Sequence, residues 1–142
     1  MLGDLEPVTG KRRIGPSVVL GTVAQGRSLL APDRRLLDAF TQRTAMPSEQ
    51  ARTLLAKFDL YDQQVLRRVA TLSPGDRTRA ELAVQVALRA NCLVLDEPTN
   101  HLDLPAIEEL ERALADYTGT LLLVSHDRRF LERVGVTRTI RL

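Results

Sequence analysis

The spacing of apolar residues divides the chain into two parts. In the second half, short apolar runs alternate with stretches in which apolar residues recur every three or four positions. Such alternation is typical of a parallel sheet whose strands are joined by helices. The predicted strands are 92–95, 120–124 and a last one at 137–142, and the predicted helices are 74–90, 104–117 and 127–134.

The first half is mostly helical. A run rich in Val and Leu at 17–23 predicts one strand, and stretches with helical spacing follow at 33–43 and 47–58. The whole region 33–72 has a helical character. We therefore predict an α/β fold with a parallel sheet and an inserted helical subdomain.

Length and composition fit one globular domain. The chain has 142 residues, 44% hydrophobic and 27% charged, and its net charge of +2 does not by itself indicate nucleic acid. No apolar run reaches the ~18 residues of a membrane span, and no signal-peptide pattern is recognised, so a cytosolic protein is the simplest interpretation. The single thiol, Cys92, lies in an apolar run, and we expect it to be buried rather than to bind zinc or form a disulfide.

Two adjacent acids follow the clearest predicted strand. The segment Leu93-Val94-Leu95-Asp96-Glu97 places both carboxylates at the carboxyl end of a buried strand, where ligands bind in open parallel sheets. Neighbouring strand residues point to opposite faces, so one acid can reach a metal while the other faces a water. This is the Walker B arrangement, in which Asp96 would serve Mg²⁺, usually through water, and Glu97 would polarise the attacking water.

A capped helix start precedes this strand. Ser73 is a good N-cap, Pro74 then occupies the first helical position, and Asp76 the third. The pattern is a variant of the capping box with Asp in place of Glu or Gln. Such a helix end presents free N–H groups and a positive dipole end, which favour an anion.

Four segments in this order resemble the motifs of the ABC ATPase superfamily. They are Leu72-Ser73-Pro74-Gly75-Asp76 (signature motif), the Walker B acids, Asn100-His101-Leu102-Asp103 (D-loop) and His126 (switch histidine). The resemblance implies a P-loop NTPase-like ABC cassette that binds ATP and Mg²⁺ and pairs with a second cassette. Ser73, Gly75 and Asp103 would face the nucleotide, with Ser73 and Gly75 on the γ-phosphate of ATP held by the partner, and His126 would sense the γ-phosphate of its own. His101 is compatible with a turn residue that shapes the dimer interface.

The signature segment departs from the family pattern. The family most often has Gly at position 74 and Gln at position 76. Because an acid near a phosphate would repel it, we expect Asp76 to turn back and cap its own helix.

Gln25 lies in a segment that invites two interpretations. Residues 21–26 match the G-x-x-x-x-G spacing of a Walker A loop, but Arg27 stands where Lys belongs and Pro32 stops any helix within a turn. The stretch instead resembles the family's Q-loop, in which Gln25 would contact Mg²⁺ and the attacking water. Residues 2–10 then resemble the segment just after the Walker A helix.

No true Walker A motif occurs in the chain, so these residues correspond to the later part of a cassette. The expected division is 1–32 for the end of the core including the Q-loop, 33–72 for the helical subdomain, and 73–142 for the signature helix through the switch histidine. We expect the chain alone to lack activity. A natural truncation, a wrongly assigned start and an engineered fragment all remain open.

Asn100-His101 and the segment 125–131 resemble the ABC-F family, whose members are translation factors or antibiotic-resistance proteins that act on ribosomes. The resemblance implies coupling of ATP hydrolysis to work on the ribosome. Two alternatives stay open: a fragment of an ABC transporter's nucleotide-binding subunit, and a non-catalytic dimerisation module that lends Ser73 and Gly75 to another cassette.

Overall fold

A parallel sheet joins three segments that are far apart in the sequence. The computed structural model describes residues 13–23 and 28–140. Within these ranges β1 (Leu20–Val23), β2 (Cys92–Asp96) and β3 (Thr120–Val124) form one sheet in the order β1-β2-β3. The helices are α1 (Leu36–Thr44), α2 (Ser48–Ala56), α3 (Gln63–Leu66), α4 (Pro74–Ala87), α5 (Leu104–Ala115) and α6 (Arg128–Arg133), with a 3₁₀ turn at Val69–Thr71. The predicted α/β fold with a parallel sheet is confirmed.

The two faces of the sheet differ in their burial. Leu93 and Leu95 in β2 are 1% and 0% exposed, whereas Cys92 on the other face is only half-buried. The expectation of a fully buried thiol was wrong. On β3, Leu122 and Val124 are 50% and 52% exposed. Parallel strands are normally covered on both faces. Here the described residues leave one apolar face of the sheet and the edge of β3 uncovered.

Backbone hydrogen bonds close the helical region into a unit. Leu36 N–H donates to the carbonyl of Arg67 at 2.9 Å, and Val69 N–H donates to that of Arg34 at 3.0 Å. These bonds join the beginning of the helical stretch to its end. α1, α2 and α3 therefore form a small layer that the chain enters and leaves at one place.

Helix α4 lies at the centre of the packing. It contacts α1, α2, β1 and α5. One continuous hydrophobic core surrounds it, and its largest fully buried side chains include Phe40, Leu55, Leu82, Leu93, Leu110 and Phe130. The helical layer and the sheet are therefore held together through α4.

Two differences from the sequence predictions concern a terminal and a short segment. Residues 137–140 form no strand, so the predicted last strand was wrong over these residues, and 141–142 lie outside the described ranges. Helix α3 was not predicted as a separate element, although it lies in the region 33–72 that was predicted to be helical. The segment 2–10 is also outside the described residues, and the division at 32 and 72 stays a prediction. No helix in the described part of the chain combines the length and apolarity needed to cross a membrane.

Glu81 on α4 is a buried carboxyl, and this predicts a pH-dependent stability. Burial raises the pKa of Glu81 above its ordinary value of 4.5, opposed by hydrogen bonds from Ser28 and the backbone and by the charge of Arg43. A raised folded-state pKa means that the group's stabilising contribution is complete below 4.5 and is lost as the pH rises through the folded-state value.

We therefore expect the free energy of unfolding of the wild type to fall relative to that of Glu81→Gln as the pH rises from 4.5. Urea titrations of both proteins at a series of pH values measure this difference. A difference that stays constant over the series would contradict the assignment.

Candidate functional site

The carboxyl ends of β2 and β3 meet where the two predicted acids lie. Asp96 is the last residue of β2, and it pairs in register with Val124, the last residue of β3. The pairing continues one residue further, because Glu97 N–H donates to the carbonyl of Val124 at 2.8 Å. This bond fixes the residue after β2 against the end of β3, two residues before His126.

Glu97 has an unusual backbone conformation. Its φ angle is +46°, in the left-handed region that non-glycine residues seldom adopt. Besides the bond from Glu97 N–H, the turn is held by Asn100 N–H, which donates to the Glu97 carbonyl at 3.2 Å. Strand alternation, from which we predicted the direction of Glu97, does not apply here, since the residue lies beyond β2. The positive φ turn sets its direction, and such conformations concentrate at functional sites.

The side chains of Glu97 and His126 face each other. Glu97 Oε1 lies 3.4 Å from His126 Nε2, and the glutamate side chain is 22% exposed while the histidine is 98% exposed. This distance is beyond the usual range of a hydrogen bond. Glu97 Oε1 is itself buried and has no hydrogen-bond partner among the described residues. An acceptor in that state is suited to a water molecule or another donor.

Asp96 offers a half-buried carboxylate beside this site. No group of three or more His, Cys, Asp or Glu side chains that could hold a metal occurs in 13–23 and 28–140. Mg²⁺ at phosphate sites needs only one or two carboxylates, since phosphate oxygens and waters supply the other ligands. Asp96 therefore fits a magnesium site of that type, which leaves the oxygen of Glu97 available to a water molecule.

The start of α4 has the predicted cap. Ser73 Oγ accepts a hydrogen bond from Asp76 N–H at 3.1 Å, and Pro74 stands at the first helical position. The expectation that Asp76 caps its own helix was wrong. Its Oδ1 instead accepts from Arg79 Nη2 at 2.7 Å. An arginine one turn along the helix reaches Asp76 because residues three apart share a helix face.

Arg79 joins α4 to α5. Its guanidinium contacts the carboxylates of both Asp76 and Glu109, and its side chain is only 5% exposed. The two helices also approach closely at Gly75, where a Cβ would lie 2.6 Å from the Cβ of Ala106. Packing thus requires a glycine at position 75, which is also a residue of the signature motif. The signature and D-loop segments are therefore mechanically joined.

The signature and D-loop residues line one cleft. Asp103 caps α5 by accepting from Ala106 N–H at 3.1 Å. Between the starts of α4 and α5 lies a cleft of about 380 Å³. Its polar lining includes Ser73, Asp76, Arg79, His101, Asp103 and Glu109. Glu97, His126 and Asp96 are not part of this lining, so the predicted site residues fall into two groups.

Gln25 lies outside the described residues, so its predicted contacts with Mg²⁺ and water stay a prediction. Arg79 and Glu109 were not predicted as site residues, and neither were Glu81 and Gln85, which are buried on α4. One signal was available, since polar residues at 81 and 85 interrupt an otherwise apolar helix face at a spacing of four.

Comparisons with known proteins decide the family. The family model described as "ABC transporter" matches residues 4–100, more than half of the chain. The chain belongs to the ABC family. Two structures of the dimeric ATP-binding cassette MJ0796 resemble this ABC fold. The post-hydrolysis dimer bound to ADP and Pi has a TM-score of 0.63 and 21% identity, covering 82% of this chain and 56% of that one. The other dimer has a TM-score of 0.65 and 22% identity over the same shares. These similarities confirm the predicted cassette fold.

Relatives in sequence are named as ATP-binding proteins. The ABC chain is 41% identical over 143 residues to the putative ATP-binding protein YdiF of Bacillus subtilis (strain 168), covering 100% of this chain and 22% of that protein. It is 35% identical over 137 residues to Uup of Escherichia coli (strain K12), covering 93% and 22%. It is 35% identical over 136 residues to ATP-binding cassette sub-family F member 3 of Pongo abelii, covering 94% and 19%. The chain spans about a fifth of the length of these relatives, and the predicted ABC-F resemblance is confirmed.

The role of Arg79 can be tested by its removal. Arg79→Leu leaves Asp76 and Glu109 as neighbouring carboxylates without their shared cation, so the free energy of unfolding should fall by up to about 3 kcal/mol. Urea denaturation measures the loss. The matched control is the triple variant Arg79→Leu/Asp76→Asn/Glu109→Gln, which removes the charges together and should recover most of it. Equal losses in both variants would show that the ion pairs are unimportant.

Proposed function

We propose that this chain supplies the catalytic acid, the switch histidine and the signature surface of an ABC-F type ATPase. In this proposal, ATP binding and hydrolysis with Mg²⁺ drive work on the ribosome, including displacement of antibiotics. The observation that carries the catalytic part is the buried Glu97 Oε1 at the junction of β2 and β3, which has no hydrogen-bond partner among the residues the structure describes and lies 3.4 Å from His126 Nε2.

The proposed role of Glu97 is to polarise the water that attacks the γ-phosphate. A carboxylate oxygen with a free acceptor site can receive a proton from water, and the backbone bond to Val124 keeps it in place. His126 Nε2 is within reach of the same region, and its exposure lets it contact a phosphate as well as the water. Gln25 is proposed as a further contact with that water.

Asp96 is proposed as the residue that holds Mg²⁺, through a water ligand. Magnesium, when bound, neutralises charge that develops on the phosphate oxygens. The half-buried position of Asp96, next to Glu97 and at the end of a strand, supports this role.

Ser73, Gly75 and Asp103 are proposed to face the nucleotide of a second cassette. The similar solved cassettes are described as dimers. The pairing of Asp76 with Arg79 is compatible with an anion near Ser73, because the arginine offsets part of the repulsion between that carboxylate and a phosphate. The start of α4 then offers backbone N–H groups and a positive helix end.

The P-loop is proposed to come from polypeptide outside these 142 residues. No G-x-x-x-x-G-K-[ST] sequence occurs in the chain. The exposed Leu122 and Val124 on the edge strand β3 support the idea that further structure packs there, since an apolar parallel edge is rarely left free. We therefore propose that the chain alone neither binds ATP tightly nor hydrolyses it.

Replacing Glu97 tests the catalytic part. The chain is joined to a preceding cassette segment that carries a G-x-x-x-x-G-K-[ST] motif, and ATP turnover is measured for the parent and for Glu97→Gln. Losing the carboxylate should reduce kcat about 100- to 1,000-fold with ATP binding retained. Glu132→Gln, an exposed carboxylate on α6, is the control and should keep parental turnover. Parental turnover in Glu97→Gln would remove this residue from the proposed role. Micromolar ATP binding with hydrolysis by the 142 residues alone would contradict the missing P-loop.

A second candidate is the nucleotide-binding subunit of a transporter, favoured by the description of the matching family model. Co-sedimentation separates the two candidates. The joined Glu97→Gln protein, held in its ATP state, should pellet with purified ribosomes. Failure to do so, with ATP binding intact, would favour the transporter.

A further inference from the structure

Two polar side chains on α4 are almost completely buried. Glu81 and Gln85 are 6% and 5% exposed, and they lie on one face of the helix because they are four residues apart. Burying polar groups costs free energy unless their hydrogen bonds are satisfied. The partners of these two side chains are therefore informative.

Gln85 holds the end of β1. Its Nε2 donates to the carbonyl of Thr22 at 2.8 Å, across 63 positions in the sequence. Gly21 makes this approach possible, since a Cβ at that position would lie 2.7 Å from Gln85 Oε1. The helix and the strand are thus in direct polar contact just before residues 24–27.

Glu81 holds the chain on the other side of residues 24–27. Its Oε1 accepts from Ser28 Oγ at 2.6 Å and from Leu29 N–H at 2.9 Å. Ser28 Oγ also accepts from Leu30 N–H at 3.1 Å, which fixes the turn that presents the two donors. Both donors bind one carboxylate oxygen, so an amide oxygen in the same position could accept the same bonds.

We propose that Glu81 and Gln85 are positioning residues that fasten the signature-bearing helix α4 to the chain on both sides of Gln25. The proposal takes from the proposed function only the importance of Gln25 and of Ser73. The contacts themselves involve only described residues.

Helix α4 connects these contacts rigidly to its own start at Ser73. α4 is a continuous helix of 14 residues, capped at its start by Ser73. Ser73 and Glu81 are separated by roughly 12 Å along the axis, given a rise of about 1.5 Å per residue. A displacement at the cleft end of α4 is therefore carried to Thr22, Ser28 and Leu29.

Amide hydrogen exchange of the 142-residue chain, followed by NMR without nucleotide, tests the fastening. In Glu81→Leu the Leu29 amide loses its acceptor, and its exchange should accelerate at least about tenfold. In Glu81→Gln the acceptor is kept, and Leu29 should exchange as in the wild type. The control Val84→Ala, in the fully buried part of α4, destabilises the chain without touching these bonds. Val84→Ala should accelerate the exchange of the Leu29 amide no more than it accelerates the exchange of the Leu95 amide in the core. Equal exchange of Leu29 in the Leu and Gln variants would overturn the proposal.

Transmission along α4 is tested with Gly75→Ala, which pushes α4 against Ala106 at its cleft end. In the wild-type background this change should shift the Leu29 amide resonance. In the Glu81→Leu/Gln85→Leu background the shift should fall to less than about half, because coupled sites are not additive. An identical shift in both backgrounds would overturn the proposal. Where Glu81→Leu prevents folding, Gln85→Leu alone serves as the second background, with the same two outcomes. Neither experiment uses ATP, so their failure would leave the proposed ATPase function untouched.

Discussion

The parallel pairing of β2 with β3 is the constraint on which the site depends. Its register runs from Cys92 opposite Thr120 to Asp96 opposite Val124. The hydrogen bond from Glu97 N–H to the Val124 carbonyl extends this pairing past the end of β2. A shift of one residue in this pairing would break the bond to Val124 and move the turn that carries Glu97 away from its place beside His126. The chemistry of the site therefore rests on strand register rather than on flexible loops.

Helix α4 connects the sheet to the other parts of the described structure. Its first turn carries Ser73, its middle binds α5 through Arg79, and its last turns bind the chain beside β1 through Glu81 and Gln85. These polar contacts are nearly all buried, so they specify one arrangement of the helix more narrowly than apolar packing would. The two groups of site residues, at the sheet and at the cleft, are connected through this one element.

Much of this arrangement was predictable because its causes are local. Strand β3 was predicted with its observed bounds from an apolar run, and the start of α4 from a serine followed by proline. The closeness of Glu97 and His126 agrees with the rule that parallel strands end at the same edge of a sheet, although His126 was predicted as a site residue only by resemblance. Residues 137–140 also resembled a strand, but the described structure provides no neighbour for them to pair with, and Ile140 is 72% exposed.

The unpredicted features depend on contacts between distant segments. The partner of Asp76 is Arg79, whose direction is set by Glu109 on another helix. The left-handed backbone of Glu97 arises where a strand must turn while its N–H stays bonded to β3. Neither α5 nor β3 can be placed from the sequence around residues 76 and 97 alone. Local sequence motifs identify the residues of the site, and tertiary packing determines how those residues are arranged.

Glu97 and His126 share one site at the end of the paired strands. Nuclear Overhauser effects between the His126 ring protons and the Glu97 side-chain methylene protons measure this most directly. The observed contact of 3.4 Å between Nε2 and Oε1 predicts that such cross-peaks are present in the 142-residue chain. Their absence, in a sample where the Leu95 and Leu123 amides show the expected parallel-strand contacts, would contradict the account.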